Sequence, residues 1–129
     1  MDVKLLNGNV LAYLGDSYYE HQIRSYLINT GLTKLNDLHK QAIKYTSGKA
    51  QAKIITSLLA NEVLNQEELN IYKRGRNITV KNKKHLNISE VNASNGFEAL
   101  IGYLSVKDTK KAQSIIEYAI TYIEETNGK

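Results

Sequence analysis

Two carboxylates lie one helical turn apart near the start of this chain, and their types and spacing could support metal chemistry. Asp16 and Glu20 follow Gly15 inside a segment with the apolar spacing of a helix. Residues four apart share one face of a helix, so both side chains point the same way. Acidic side chains are rarely buried without a partner or a bound metal. The pair therefore indicates either ordinary solvated surface or a cation site.

A third acid, Glu98, stands in the most apolar helical segment of the chain, with Asn95 three residues before it on the same face. Mg²⁺ needs only one or two protein carboxylates, together with waters and substrate phosphate. If the helices that carry Asp16 and Glu98 pack together, the two carboxylates meet across them, as metal ligands do in helical bundles. Two unrelated surface acids are the alternative. Glycines at positions 15 and 102 favour close approach of the helices.

Basic residues are concentrated in one segment of the chain. Between residues 73 and 85 there are six cations and no acid, namely Lys73, Arg74, Arg76, Lys81, Lys83 and Lys84. The net charge is +4, and without these six the chain has 11 basic against 13 acidic residues. A concentrated positive segment on a nearly neutral body is the electrostatic footprint of a polyanionic partner. A solvated charged loop is the alternative.

Composition limits the class of protein. The 129 residues suffice for one domain, and 42% hydrophobic and 23% charged residues are ordinary for a soluble globular protein. No apolar run approaches the roughly 18 residues of a membrane helix, and the N-terminus lacks the features of a signal peptide. We therefore expect a cytoplasmic protein with no membrane partner. The chain has no cysteine, which excludes disulfides and thiol catalysis.

Several common catalytic motifs are absent from the sequence. There is no dinucleotide-binding glycine motif after a strand, and Gly48-Lys49 lacks the earlier glycine of a P-loop. None of the histidines is followed by Asp and no two lie four residues apart, which argues against a zincin or a His-Asp phosphohydrolase; they are His21, His39 and His85. The chemistry that remains is that of carboxylates.

Apolar residues recur with a helical period almost throughout the chain, and no alternating strand pattern of useful length appears. The predicted helices are a long first one ending near residues 29–31, a second around Leu35, a third entered through 46–48, a fourth opening at 65–68, a fifth capped by Ser94 and a last one opened by Thr109. Residues 76–90 have no clean period and are predicted to form an exposed loop. We therefore predict an all-α single domain of five to seven helices over residues 1–129.

Two motifs resemble those of a known nuclease family. The run LAYLGD at residues 11–16 is similar to the signature of ribonuclease III nuclease domains, an apolar-apolar-Gly-Asp sequence on the first core helix. The run FEALIG at residues 97–102 resembles the second motif of that family, which carries an essential metal-binding glutamate. The resemblance covers essentially the whole chain. It implies a homodimeric all-α endonuclease with one site for each strand of an RNA duplex.

The resemblance also implies roles for individual residues. Asp16 and Glu98 become the catalytic, Mg²⁺-binding pair for hydrolysis of phosphodiesters in double-stranded RNA. This chain departs from the broader family where that family has further carboxylates, at Asn9, Ala12 and Asn95. Fewer direct carboxylates imply weaker or more water-mediated metal binding. The role of Glu20 stays open between a dimer contact and support of the site.

A subfamily is indicated as well. Only 31 residues follow Glu98, too few for the double-stranded-RNA-binding domain that normally follows, and residues 72–77 and 37–40 also resemble the Mini-ribonuclease III subfamily. RNA contacts then fall to the basic segment, about residues 73–88, since A-form RNA is recognised through phosphates, 2′-hydroxyls and shape. The implied substrate is precursor 23S ribosomal RNA, trimmed at both ends while bound to a large-subunit ribosomal protein.

Two other classes of function remain open on the residues alone. The first is a non-catalytic RNA-binding or ribosome-assembly module on a degenerate nuclease fold, which the three missing carboxylates favour and the retention of Asp16 and Glu98 opposes. The second is a helical protein-interaction module, which leaves the basic segment unexplained. An exposed apolar stripe around Val10, Tyr13 and Tyr18 on the first helix would be consistent with a dimer, although the same spacing also fits plain core.

Overall fold

Helices account for nearly all of the structure. The computed structural model describes residues 2–77 and 87–126, in which a short 3₁₀ turn at Val3–Leu5 precedes six α-helices. They are α1 (Gly8–Asn29), α2 (Leu35–Thr46), α3 (Gly48–Ala60), α4 (Gln66–Arg76), α5 (Ile88–Lys107) and α6 (Thr109–Thr126). No strand occurs within these two ranges, so the all-α prediction is confirmed. A search of the same ranges finds no helix with the length and hydropathy needed to span a bilayer.

Local capping residues set most of the helix starts. Asn7 caps α1 and Ser47 caps α3, each by accepting a hydrogen bond from a backbone N–H three residues later. In α4 the capping is reciprocal, since Asn65 Oδ1 accepts from the Glu68 N–H and Glu68 Oε1 accepts from the Asn65 N–H. Such a capping box satisfies two of the free amides at the helix start. The starts of α3 and α4 were predictable from these residue types, whereas no cap was predicted for α1.

The predicted start of α5 at Ser94 is wrong. The helix begins six residues earlier at Ile88, where Asn87 and Glu90 form a second capping box. Ser94 lies inside the helix and is only 1% exposed, and its hydroxyl donates a hydrogen bond to Gln51 on α3. The capping box sets this start. Residues 88–93 have no clean apolar period, so hydrophobic spacing could not predict it.

Helix α5 is the centre of the fold. Every residue from Ser94 to Leu104 is buried, and α1, α3, α4 and α6 all pack against it. Its Phe97 ring meets Tyr19 of α1 edge-on, with 5.1 Å between the ring centroids. A helix buried on every side is hydrophobic all round, which explains why α5 has no polar face. Glu98 is therefore carried into the core by the sequence around it.

Candidate active site

Helices α1 and α5 touch through their backbones at two glycines. A Cβ on Gly15 would overlap the carbonyl oxygen of Glu98 and lie 2.7 Å from the amide nitrogen of Gly102. A Cβ on Gly102 would overlap the carbonyl oxygen of Leu11 and lie 2.9 Å from the amide nitrogen of Gly15. Only glycine permits backbones to come this close. The contact places Gly15 against the backbone of Glu98. Asp16 directly follows Gly15, so its backbone lies close to the point where α1 meets α5.

The two carboxylates differ in their exposure. Glu98 is 8% exposed, whereas Asp16 is exposed on the surface of α1. A carboxylate as buried as Glu98 needs donors or a cation to replace its lost hydration. The exposed Asp16 carboxylate is open to solvent and to an incoming molecule. The pair combines one oxygen donor held in the core with one that solvent and substrate can reach.

The oxygen donors fit a hard cation such as Mg²⁺. Asn95, buried one turn before Glu98, adds an amide side chain to the same face of α5. Among the residues that the structure describes, no group of three or more His, Asp or Glu side chains is arranged to hold a metal. Mg²⁺ keeps several waters and takes one or two carboxylates plus substrate phosphate. Asp16 and Glu98 are therefore sufficient in number and type.

Glu20 is engaged elsewhere on α1. Its Oε1 accepts a hydrogen bond from Arg24 Nε at 3.1 Å and lies 3.1 Å from Arg24 Nη2, an ion pair one turn along the helix. An exposed pair of this kind contributes a few tenths of a kcal/mol, about 0.3–0.5. The carboxylates that opened the sequence argument therefore differ in their surroundings, because Asp16 adjoins the α5 contact and Glu20 pairs with a neighbour.

Helix α4 also approaches α5 closely at two glycines, here against side chains as well as backbone. A Cβ on Gly75 would overlap the Ala99 side chain and lie 2.9 Å from the carbonyl oxygen of Asn95. A Cβ on Gly96 would lie 2.5 Å from two ring carbons of Tyr72. The last turn of α4 carries three cations, and the Gly75 contact brings this turn against the part of α5 that contains Glu98. Positive charge and carboxylates thus lie on neighbouring helix segments.

The six cations that sequence reasoning grouped together have different surroundings. Arg74 Nη1 donates hydrogen bonds to the carbonyl oxygens of Lys4 at 2.7 Å and Leu6 at 2.9 Å, which ties α4 to the N-terminal turn. The Arg76 guanidinium carbon lies 5.7 Å from the centroid of the Tyr72 ring. Lys73 is exposed. The remaining three lie outside the described residues; they are Lys81, Lys83 and Lys84.

Tyr72 packs beside the candidate site, and sequence reasoning did not single it out. Its ring packs on Gly96 and lies under the Arg76 guanidinium in a cation–π contact, and burial raises the pKa of its hydroxyl. Tyr72 and Arg76 are four residues apart on one helix, so their spacing contained this signal. The contact between Arg74 and Lys4 spans 70 residues, and no local pattern could indicate it.

Known proteins share this architecture and sequence. The family model described as Ribonuclease III domain matches residues 9–109. Mini-ribonuclease 3 of Acholeplasma laidlawii is 42% identical over 93% of this chain and 96% of its own length, and that of Enterococcus faecalis is 43% identical over 99% and 98%. A crystal structure of a Fusobacterium nucleatum protein, 27% identical, covers 93% of this chain and 96% of its own with a TM-score of 0.81. The chain therefore belongs to the ribonuclease III family, among the Mini-ribonuclease 3 proteins, and is an endoribonuclease.

Proposed function

We propose that this endoribonuclease is Mg²⁺-dependent, cleaves double-stranded RNA, and matures the 5′ and 3′ ends of precursor 23S ribosomal RNA in the cytoplasm. One observation supports the proposal above the others: the α1 and α5 backbones are in contact between Gly15 and Glu98, although Asp16 and Glu98 are 82 residues apart in sequence. Asp16 lies on α1 and Glu98 on α5, so neither helix alone carries both carboxylates. Only the packing of α1 on α5 can bring them near each other.

In this proposal Asp16 and Glu98 hold the metal, and Asn95 lies one turn before Glu98 on the same face of α5. Mg²⁺, when bound, supplies Lewis-acid polarisation of the scissile phosphate and lowers the pKa of a bound water. The protein supplies orientation, since the glycine contacts of α1 and α4 with α5 hold the backbone around Glu98. Asp16, at the surface, would hold the metal where an arriving phosphate can reach it, since the carboxylate alone would repel the phosphate. Water is excluded on the inner side by the packed residues of α5.

The basic segment is proposed as the RNA-contacting surface. Lys73 and Arg76 lie in the last turn of α4, which packs against residues 95–99 of α5. A guanidinium already positioned on an aromatic ring loses little freedom on binding a phosphate, which favours Arg76. We also propose RNA contacts for three lysines that lie outside the described residues, namely Lys81, Lys83 and Lys84. Binding through phosphates makes affinity fall steeply with added salt.

A homodimer is the second element of the proposal. Helix α1 exposes Val10, Tyr13 and Ile28, and the Tyr13 ring is 84% exposed one turn before Asp16. Large exposed apolar side chains along one helix favour a second protein surface. Tyr18, which the sequence stripe included, does not belong to this face: it packs on the core and accepts a hydrogen bond from Gln113 Nε2 at 3.0 Å. Two copies joined along α1 would offer one site to each strand of a duplex.

The remaining parts of the proposal concern the substrate complex and the alternatives. A large-subunit ribosomal protein bound to the precursor is proposed as a partner during cleavage. A non-catalytic RNA-binding module and a protein-interaction module are less well supported, because relatives that match almost end to end carry a ribonuclease name. Cleavage itself separates these classes.

The test compares four proteins on a structured fragment of precursor 23S RNA with Mg²⁺. Asp16→Asn and Glu98→Gln each remove one charge from the proposed pair, and we expect cleavage to slow by about 100-fold or more. Glu20→Gln is the matched control on α1 and should stay within about two-fold, since its pair with Arg24 is worth little. Equal cleavage by all four proteins contradicts the site.

Three further outcomes divide the proposal. Binding of the fragment without cleavage by the wild type would favour the non-catalytic module. Full activity after removal of divalent metal by a chelator would contradict metal dependence. Equal rates on the precursor and on an unrelated RNA duplex of the same length would contradict the proposed substrate, while leaving cleavage of double-stranded RNA intact.

A further inference from the structure

Four buried polar side chains belong to helix α5 and to helix α3, which packs against it. The buried polar and charged residues of the described chain are Gln51, Glu68, Ser94, Asn95 and Glu98. Glu68 is accounted for by the capping box of α4. The other four belong to α3 and to one five-residue stretch of α5, the most apolar helix of the fold. Burial of polar atoms costs free energy unless they are hydrogen-bonded, so this cluster requires an explanation.

Gln51 links α3 to α5 directly before the candidate site. Its Oε1 accepts a hydrogen bond from Ser94 Oγ at 2.7 Å, and its Nε2 donates to the carbonyl oxygen of Thr46 at 3.3 Å. Gln51 is 3% exposed and Ser94 1%, so water does not compete for the bond between them. Ser94 precedes Glu98 by four residues and shares its face of α5. The bond from α3 therefore holds α5 one turn before the carboxylate.

The remaining contacts of α5 near the site differ in kind. Its contacts with α1 and α4 run through glycines, which fix how close the helices come. Apolar packing is non-directional, whereas a hydrogen bond has a preferred direction at both ends. The bond between Gln51 and Ser94 thus restricts rotation of α5 about its own axis. That rotation determines where the Glu98 carboxylate points.

We propose that Gln51 is a positioning residue for the nuclease reaction, acting through Ser94 to orient Glu98 toward the metal. The inference rests on the proposed Mg²⁺-binding role of Glu98. Removal of a group bonded directly to a metal ligand typically changes metal affinity or activity by about 10–100-fold, and Gln51 acts one step further away through α5, so we expect the lower end of that range. Gln51 itself touches neither metal nor RNA in this proposal. Its loss should therefore act on the metal and the chemical step, and not on RNA affinity.

The decisive variant is the double substitution Gln51→Met with Ser94→Ala. Each single substitution leaves one buried polar partner unsatisfied and should lower stability, whereas replacement of both partners by apolar groups of similar shape is close to neutral. Apart from the long bond of Gln51 to the Thr46 carbonyl, which is also lost, the double variant therefore regains stability without regaining the bond to Ser94. If Gln51 positions Glu98, kcat stays about 10-fold low and the half-saturating Mg²⁺ concentration stays raised, while KM for the RNA duplex remains within about two-fold.

A readout independent of turnover is the melting temperature of the RNA-free protein during titration with Mg²⁺ alone. The double variant should need several-fold more Mg²⁺ for the same rise. Ser57→Ala with Tyr118→Phe is the matched control, since it removes a bond of 2.6 Å between α3 and α6 away from the site. We expect it to leave kcat and the Mg²⁺ titration unchanged.

The outcomes separate this inference from the function on which it rests. Wild-type kcat and Mg²⁺ response in the folded double variant overturn the positioning role, and so does an equal loss in the control. If Glu98→Gln itself cleaves like the wild type, the proposed site fails first. If the double variant does not fold, Ser94→Ala alone, the smallest change, decides by the same titration.

Discussion

The two sides of the fold are joined by different kinds of contact. On the side of the candidate site, α1 meets α5 backbone to backbone and α4 approaches it closely, with no room for a side chain at Gly15, Gly75, Gly96 and Gly102. On the side of α6, apolar packing is accompanied by hydrogen bonds between long polar side chains. Backbone contact sets how close α1 and α5 come at residues 15 and 98, whereas the hydrogen bonds on the α6 side add stability in increments that substitution can remove one at a time.

The α6 side shows this second principle clearly. Glu124 Oε2 accepts hydrogen bonds from the hydroxyls of Tyr26 and Tyr45, the latter at 2.9 Å, and so links α6 to both α1 and α2. The bond to Glu124 raises the pKa of Tyr26, and burial raises that of Tyr45. Both shifts favour the protonated form of the phenol, which is the form that donates to Glu124. If one such bond is lost, the apolar packing between these helices remains.

Substitution of a contact glycine should have the largest effect. Gly15→Ala or Gly102→Ala places a Cβ on backbone atoms that cannot move aside, and we expect a loss of about 3 kcal/mol or more in the free energy of unfolding. Urea unfolding measures it. Ser17→Ala, at an exposed position of the same helix, is the control and should stay within about 0.5 kcal/mol. A loss below that of the control would remove the distinction between the two sides.

The cations of α4 give the next largest effect. Arg76→Ala should weaken binding to an RNA duplex several-fold and lower the slope of log affinity against log salt by about 1, since one phosphate contact is lost. Lys110→Ala, an exposed cation on α6, should change neither quantity. Equal salt slopes for Arg76→Ala and Lys110→Ala would indicate that the RNA does not bind at α4.

Arg74 sharpens this prediction because its bonds to Lys4 and Leu6 are internal. Arg74→Ala should lower the free energy of unfolding by about 1 kcal/mol, from the loss of two charge-assisted hydrogen bonds at an exposed site. Its effect on the salt slope should be smaller than that of Arg76→Ala. A change in the salt slope as large as that of Arg76→Ala, with unchanged stability, would instead indicate that Arg74 contacts the RNA.

Glu124→Gln tests the α6 side. The amide keeps the shape of the side chain but is a weaker acceptor for two phenols, so we expect a loss of about 1 kcal/mol with cleavage unchanged. Thermal or urea unfolding and a cleavage assay measure the two quantities. The neighbouring exposed acid offers a control, because Glu125→Gln makes the same change of charge on the same helix. A fall in cleavage rate with Glu124→Gln alone would show that the two sides are coupled.

The smallest effect concerns an exposed acid on the α4–α5 side. The Tyr103 hydroxyl donates a hydrogen bond to Glu67, and Lys4 Nζ lies 3.3 Å from its Oε1; both lower the pKa of Glu67 below its usual 4.5. Because the folded-state value is the lower one, this stabilisation is complete above 4.5 and is lost as the pH falls through the folded-state pKa.

The melting temperature of Glu67→Gln should therefore approach that of the wild type as the pH is lowered below about 4.5. Tyr103→Phe removes the largest cause of the lowered pKa and should reduce this pH dependence. A constant difference in melting temperature across that range would mean that Glu67 contributes nothing through its charge.

The fold was more predictable than the arrangement of its site. Caps such as Asn65 and apolar spacing are local signals, so the helices and the class could be predicted from them. The start of α5 was missed because residues 88–93 carry a capping box but no clean apolar period. Ser94 was assigned to that start since serine commonly caps helices, and its bond to Gln51 is a contact between distant residues.

The sequence by itself determined the helices, the nuclease motifs around Asp16 and Glu98, and the concentration of positive charge in one segment. Only the tertiary structure decided which groups act together: the approach of Gly15 to Glu98, the bond from Gln51 to Ser94, and the different surroundings of Arg74 and Arg76. The physical reason is the separation in sequence between the residues that interact. Helix formation depends on residues three or four apart, whereas these contacts depend on how whole helices pack.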